Sequence, residues 1–251
     1  MRASENVSYK DWLLTLGAPH TSIFEGERKY LDPYWVNSKE CCYQILERDW
    51  GIEERASLYH QIHSLVYEGT HGHFLSHLYA KYASSTAHEW SIFALGFSPS
   101  REKAEIDFVS ITYDILGLGG TRGYDYGRAC FLAREGLKVD WLSEDEFYYI
   151  HSIIARKAKF FYKSWQQYTH SWILGSCYWA YLVNDLNEEE TCDIFLNQGL
   201  RNRLKNRLKF SFHDNENPIH WMPWDGVYLP EMETPDSLKP LIESEEYNES
   251  V

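Results

Sequence analysis

Apolar residues recur every three to four positions along most of the chain, a period that predicts helices rather than strands. Leu58, Ile62, Leu65 and Val66 share one face of a segment from about Ile52 to Glu68. Ser38 ahead of Lys39 predicts a helix to about Asp49, stopped by Gly51. Phe74, Leu78 and Tyr82 fall four apart between His71 and Tyr82, and Thr86 opens a short helix through Leu95. Ser98-Pro99 predicts the next start, with Ile106, Val109, Tyr113 and Leu116 along one side. Ser143 and Glu146 have capping-box spacing ahead of Phe147, Ile150, Ile154, Ala158 and Phe161. The segment from Ser164 to about Val183 is apolar over most of its circumference and reads as the central buried helix. Asn187 with Glu190 marks the start of the last long helix, where Leu196, Leu200, Leu204 and Leu208 repeat every four residues.

Between these segments the pattern breaks. Residues 8–16 form a short opening helix, and 17–33 are turn-rich. After Phe210 the chain turns polar and then aromatic, with Trp221, Trp224 and Tyr228 interleaved with Pro218, Pro223 and Pro230. The expectation is an all-α fold of eight to ten helices, a single compact multi-helix domain with an irregular aromatic C-terminal strap. Its parts are an N-terminal helix and wrapping loop at 1–37, a helical core at 38–210, the aromatic and proline strap at 211–230, and an acidic flexible tail at 231–251.

Composition narrows the picture. The 251 residues carry a formal charge of -13 and are 16% aromatic. So acidic a surface repels nucleic acid and anionic lipid and suits a basic protein partner. Five cysteines, odd in number and without a CxxC pair, predict reduced thiols in a cytoplasm. Met1–Asn6 lacks a signal-peptide core, and the longest apolar run, Trp172–Val183, falls short of the roughly 20 residues that span a bilayer.

Chemistry concentrates at Gly117–Gly123, with four glycines in seven positions, followed by a helix that carries Asp125 and Arg128 at i, i+3. Two readings stand. In one, Asp125 and Arg128 fix how this helix meets its neighbours. In the other, the loop's N–H groups with Arg122 and Arg128 bind a phosphate or carboxylate. The loop matches neither a P-loop nor a dinucleotide fingerprint. His60, His63, His71, His73, His77 and His88 crowd one stretch. His73 and His77 have zinc-pair spacing, but no HExxH order or cysteine accompanies them, so clustered surface histidines are the simpler reading. Ser164, His170 and Ser171 raise a nucleophile, yet Ser164 is explained as a helix cap and no G-x-S-x-G elbow occurs. Arg201–Lys209 carries five basic residues in nine, a helix end that also resembles a partner-binding or RNA-binding face.

Four stretches in order resemble a bacterial family known as domain of unknown function 1266, the YbeU/YbeR-like proteins. They are Trp50-Gly51-Ile52 with Arg55 and Leu58; Glu68-Gly69 followed by His71; Asp125 with Arg128; and Ser164-Trp165, Leu174-Gly175 and Trp179. They cover about residues 40–183. Gly123-Tyr124 stands where the family has Ala-Trp, and Ser176 where it often has Arg. The resemblance implies a mostly helical, cytoplasmic bacterial protein and supplies no activity. The leading expectation is a protein-interaction module, in a conflict or secretion-linked system, whose partner is another protein. The alternative is an enzyme, toxin-like or phosphate- or nucleotide-processing, with a polar site around Asp125, Arg128 and Arg122 beside His71 or His73. No cofactor is expected; a small anionic ligand remains open at the arginines.

Overall fold

A computed structural model describes residues 7–24 and 27–242. Among them are twelve α-helices, two short 3-10 turns and no strand, as the helical periodicity requires. The helices are α1 (Tyr9–Thr15), α2 (Ala18–Thr21), α3 (Lys39–Trp50), α4 (Arg55–Tyr67), α5 (Gly72–Ser84) and α6 (Ala87–Leu95). They continue with α7 (Arg101–Leu116), α8 (Arg122–Lys138), α9 (Glu144–Phe161), α10 (Trp165–Val183), α11 (Glu188–Thr191) and α12 (Gln198–Phe212).

Several starts follow the predicted chemistry. Ser38 accepts the Cys41 N–H, Thr86 and Glu89 close a reciprocal capping box, and Ser164 accepts the Gln167 N–H. Three boundaries differ. The cap of α7 is Ser100, not Ser98: the second hydroxyl of Ser-Pro-Ser accepts the Lys103 N–H at 3.2 Å. Gly136, a residue type that commonly ends a helix, stands inside α8: the helix runs two residues further, and the missing side chain leaves room for Leu58. Asn187 caps only the four-residue α11, since Asp193 turns the chain by accepting the Phe195 N–H at 2.8 Å. The last long helix starts instead behind Asn197, which accepts the Leu200 N–H.

The helices gather into two compact units. The first takes in the chain up to Tyr67, Tyr126–Lys159 and the chain from Glu216. Its core holds Trp12, Leu16, Leu46, Leu58, Phe147 and Ile154, all fully buried. The aromatic strap docks here: the Trp12 indole donates to the Pro223 carbonyl at 3.0 Å and packs 5.5 Å from Trp224. Trp221 and Tyr228 face outward. Beyond the strap, Leu238 is fully buried beside Tyr59 and Tyr149, with Met232, Leu241 and Ile242 around them. Glu146 accepts from Ser143 N as the capping box predicts, and also from Arg55 and from the Ser237 hydroxyl. Residues 231–242 of the stretch expected to be a flexible tail are thus held by packing and hydrogen bonds; 1–6, 25–26 and 243–251 lie outside the described residues.

The second unit takes in Glu68–Asp125 and Phe160–Asn215. Here α10 packs on α7 and α12, and α7 packs on α5 and α6. Ser171 through Tyr178 are buried without interruption, so α10 is enclosed on every side, as its composition predicts. Phe108 stacks on Tyr178 at 5.6 Å and on Phe195 at 5.8 Å. On α12 the face turned inward is Leu200, Arg203, Leu204, Arg207 and Ser211. Leu208 is exposed, because a strict four-residue repeat drifts around a 3.6-residue helix, and Leu196 is exposed in the turn ahead of α12.

Truncating Leu238 tests the docked C-terminal stretch. Leu238→Ala should lower unfolding free energy by about 2–4 kcal/mol in urea titrations, whereas a freely moving segment would leave it unchanged.

Candidate functional site

The predicted site residues are brought together only in part, and what they form is a buried polar knot inside the second unit. Gly117–Gly119 make a 3-10 turn between α7 and α8. Such a turn leaves backbone groups outside any helix ladder, and side chains must satisfy them. The Gln167 amide donates to the Leu116 carbonyl at 3.1 Å. Ser171 donates to the Gly120 carbonyl at 2.6 Å, and Tyr162 lies 2.8 Å from the Ser171 hydroxyl. The Gly123 N–H sits 2.9 Å from both oxygens. Arg122 turns back over its own turn, donating to the carbonyls of Leu118 and Gly119 at 3.3 Å and to the Ser76 hydroxyl at 2.6 Å. Its guanidinium lies 4.6 Å from the Phe161 ring centroid.

His71 closes the other side. Its Nδ1 is 2.9 Å from the Thr121 hydroxyl and its Nε2 is 2.9 Å from Arg122 Nη1. Arg122 has only N–H donors, so Nε2 accepts from it, while Nδ1 faces the Thr121 hydroxyl and, at 3.2 Å, the Thr121 backbone N–H. Burial, together with the adjacent Arg122 charge, holds the His71 imidazole well below its ordinary range, so it stays neutral. Asp125 is buried and accepts the His71 backbone N–H at 3.2 Å.

The close fit needs glycine at two places. Gly120 has φ +50°, and a Cβ there would stand 2.4 Å from the His71 ring. At Gly175 a Cβ would stand 2.8 Å from the Thr121 carbonyl oxygen. At these two positions glycine lets protein groups approach the backbone closely.

Arg128 is half-buried in the first unit, its guanidinium 5.8 Å from the Trp50 ring centroid. His73 and His77 are exposed on α5. Among the described residues no three His, Cys, Asp or Glu side chains converge on a metal position. His170 faces Phe212, 5.3 Å away, and Ser171 belongs to the knot rather than to a nucleophile pair. Cys42, Cys130 and Cys177 are buried, and burial raises each thiol, which removes thiolate character. Sequence reasoning missed Thr121, Tyr162, Ser76 and Gln167. Nothing local marks them, because their role depends on contacts many residues away.

The first unit holds a second feature the sequence did not announce. A cavity of about 330 Å³ is walled by Phe24, Trp35 and Phe131, with Arg134 and Glu135 among its lining. Arg134 is buried and donates to the Thr21 hydroxyl at 3.3 Å and the Tyr30 carbonyl at 2.5 Å. Glu135 is fully buried, and among the described residues no N–H or O–H group donates to either carboxylate oxygen. The neighbouring Cys42 thiol, a weak donor, points to the Asn37 carbonyl at 3.6 Å. Burial raises the Glu135 pKa, with Cys42 and Lys138 pulling the other way.

Comparison with known proteins fits the four-motif resemblance. A family model described as "Protein of unknown function (DUF1266)" matches residues 45–203. Two proteins of Escherichia coli K12 are similar over the same scale. Uncharacterized protein YbeR is 33% identical over 138 residues, covering 55% of this chain and 58% of the relative. Uncharacterized protein YbeU is 34% identical over 134 residues, covering 53% and 56%. The chain thus spans somewhat over half the length of these relatives. No solved structure matches it.

Two buried groups give opposite pH signatures. The folded state holds His71 neutral while the unfolded chain protonates it near pH 6.5, so stability is present above that value and falls as pH drops. Between pH 7.5 and 5.5 the loss should be about 1 kcal/mol from this residue, and urea titrations of His71→Gln should show a correspondingly flatter profile. Glu135 runs the other way: its raised pKa costs stability as pH climbs past the ordinary carboxylate range. Glu135→Met should stabilise the protein at pH 7 by about 1 kcal/mol or more, a gain that calorimetry should find shrinking toward pH 4.

Proposed function

The chain belongs to the DUF1266 family, proteins of unknown function, and on that footing we propose that it is a helical protein-binding module whose buried polar knot is architectural. The observation that carries the reading is an apolar stripe left outside the core of the second unit. Ile111, Ile115 and Leu118 follow one another at i, i+4 and i+7 along α7 and the turn behind it, and are 61%, 46% and 51% exposed. On α6, which packs against α7, Ile92 and Leu95 are 59% and 79% exposed. Single exposed apolar residues need no explanation; five on two adjoining helices mark a docking face. Exposed Asp114 lies within the stripe, and the whole chain carries -13, so the partner this face suits is a basic protein presenting an apolar strip.

Further support comes from the knot. Asp125 is engaged with the His71 backbone, Arg122 is engaged with carbonyls and Ser76, and the Ser171 hydroxyl is shared between Gly120, Gly123 and Tyr162. An enzyme built on Asp125, Arg128 and Arg122 has less behind it, since catalysis needs such groups presented to a substrate. The five free thiols support a reducing, cytoplasmic setting.

Ile111→Glu with Ile115→Glu should leave the melting temperature within a few degrees of the parent, because both side chains are exposed. The same double variant should lose most of the protein captured by the parent from a bacterial lysate. Equal capture by parent and variant would refute the assignment of this face.

A further inference from the structure

We propose that Arg203 and Arg207, on the inward face of α12, form a binding site for a phosphomonoester dianion. The site lies within the second unit and stands apart from the docking face on α6 and α7.

The first observation is placement. Inward positions of a packed helix ordinarily carry apolar side chains, and Arg almost never occupies them without a partner. Here Leu200, Leu204 and Ser211 share the face with two arginines. The Arg203 guanidinium lies 5.9 Å from the Trp179 ring centroid, and that of Arg207 lies 5.2 Å from the Trp172 centroid. Both indoles belong to α10, the buried helix against which α12 packs. Each indole attracts its guanidinium through the ring quadrupole and offers the N–H groups no conventional acceptor.

The second observation is that this pair has no counter-charge. Among the described residues neither guanidinium makes an ion pair or a hydrogen bond. The contrast with the rest of the protein is sharp, since Arg48, Arg55 and Arg101 each meet a carboxylate and Arg122 and Arg134 meet carbonyls and hydroxyls. The two side chains are neighbours, at i and i+4, and each raises the cost of the other's charge. Burial and the Arg203 charge together lower the Arg207 pKa, with Tyr124 and Cys177 acting against them and no carboxylate among the causes. In a chain of net charge -13, two adjacent half-buried cations without an acid are a standing electrostatic cost.

The third step is chemical. A partner that joins the two must supply acceptors to both forks and two negative charges. A carboxylate supplies one charge; a phosphomonoester above its second ionisation supplies about two charges and three acceptor oxygens. Guanidinium forks bind such a group bidentately, which a lysine ammonium does not.

Calorimetric titration of the intact chain at pH 7.5 and low salt tests the proposal with methyl phosphate as probe. Methyl phosphate should bind the parent and bind Arg203→Gln and Arg207→Gln at least about tenfold more weakly. Lys205→Gln, on the exposed side of the same helix, should change affinity less than about twofold. Dimethyl phosphate keeps the phosphoryl group with a single charge, and acetate is a simple carboxylate; both should bind the parent at least about tenfold more weakly than methyl phosphate. The parent comparison stands even where a substitution disturbs folding. Absence of methyl phosphate binding to the parent would overturn the proposal. So would equal affinity for dimethyl phosphate or acetate, or undiminished binding by a folded Arg203→Gln, Arg207→Gln double variant.

Discussion

The turn at Gly117–Gly120 constrains the second unit more than any apolar contact does. Four carbonyls, those of Leu116, Leu118, Gly119 and Gly120, accept from side chains. Those side chains, Gln167, Arg122, Tyr162 and Ser171, come from α8, α10 and the link between α9 and α10. A made hydrogen bond contributes only about 1 kcal/mol net, but a buried polar group left without one costs about 1–3 kcal/mol. The network therefore acts chiefly by exclusion: any arrangement that shifts α10 along its axis strands several groups at once. Apolar packing holds the helices together, and the turn dictates their register.

This division of labour accounts for the fate of the motif residues. Gly69, His71, Asp125 and Gly175 are scattered through the sequence, yet all four lie around the turn. His71 is placed where a neutral ring can accept from Arg122 while its other nitrogen faces Thr121, a role an imidazolium, with N–H at both positions, cannot fill. The first unit solves a similar problem with a carboxylate. Glu146 joins the start of α9 to Arg55 and Ser237, so one acid serves as helix cap and as anchor for the C-terminal stretch. Glu135 is the counter-example in the same unit, an acid enclosed beside a cavity with no N–H or O–H donor among the described residues. Cavity and unsatisfied carboxylate together mark the least settled part of that core.

How much of this was legible in the sequence depends on the range of each interaction. Caps act over three residues, so Ser38, Thr86, Ser143 and Ser164 could be read directly. Apolar period identified α4, α9 and α10 because burial there follows one face or the full circumference. Local signals failed where two sites offered the same chemistry, as with Ser98 and Ser100, or where a good cap led nowhere, as at Asn187. The knot was half legible. Glycines and charged residues drew notice, but Thr121, Tyr162 and Gln167 are ordinary residues until a partner some 40 or 50 positions away is known. The glycines allow the close approach of His71 and of α10, contacts that only the folded chain reveals.

The α12 segment shows the opposite error, in which a pattern was too easily satisfied. A leucine every fourth residue suggests an apolar seam, and five cations in nine residues suggest a helix end that complements the dipole or a partner-binding face. The helix turns by 100° per residue, so a four-residue repeat slides 40° at each step and cannot stay on one face. The seam that forms contains Arg203 and Arg207 beside Leu200 and Leu204, while Leu208 turns outward and Leu196 lies ahead of the helix. That rotation brings two guanidinium groups over indole rings of α10. Core tryptophans tolerate this because a guanidinium is flat and weakly hydrated. A stacked fork keeps its charge while losing most of its freedom to swing toward a distant acid, so any partner must come to it.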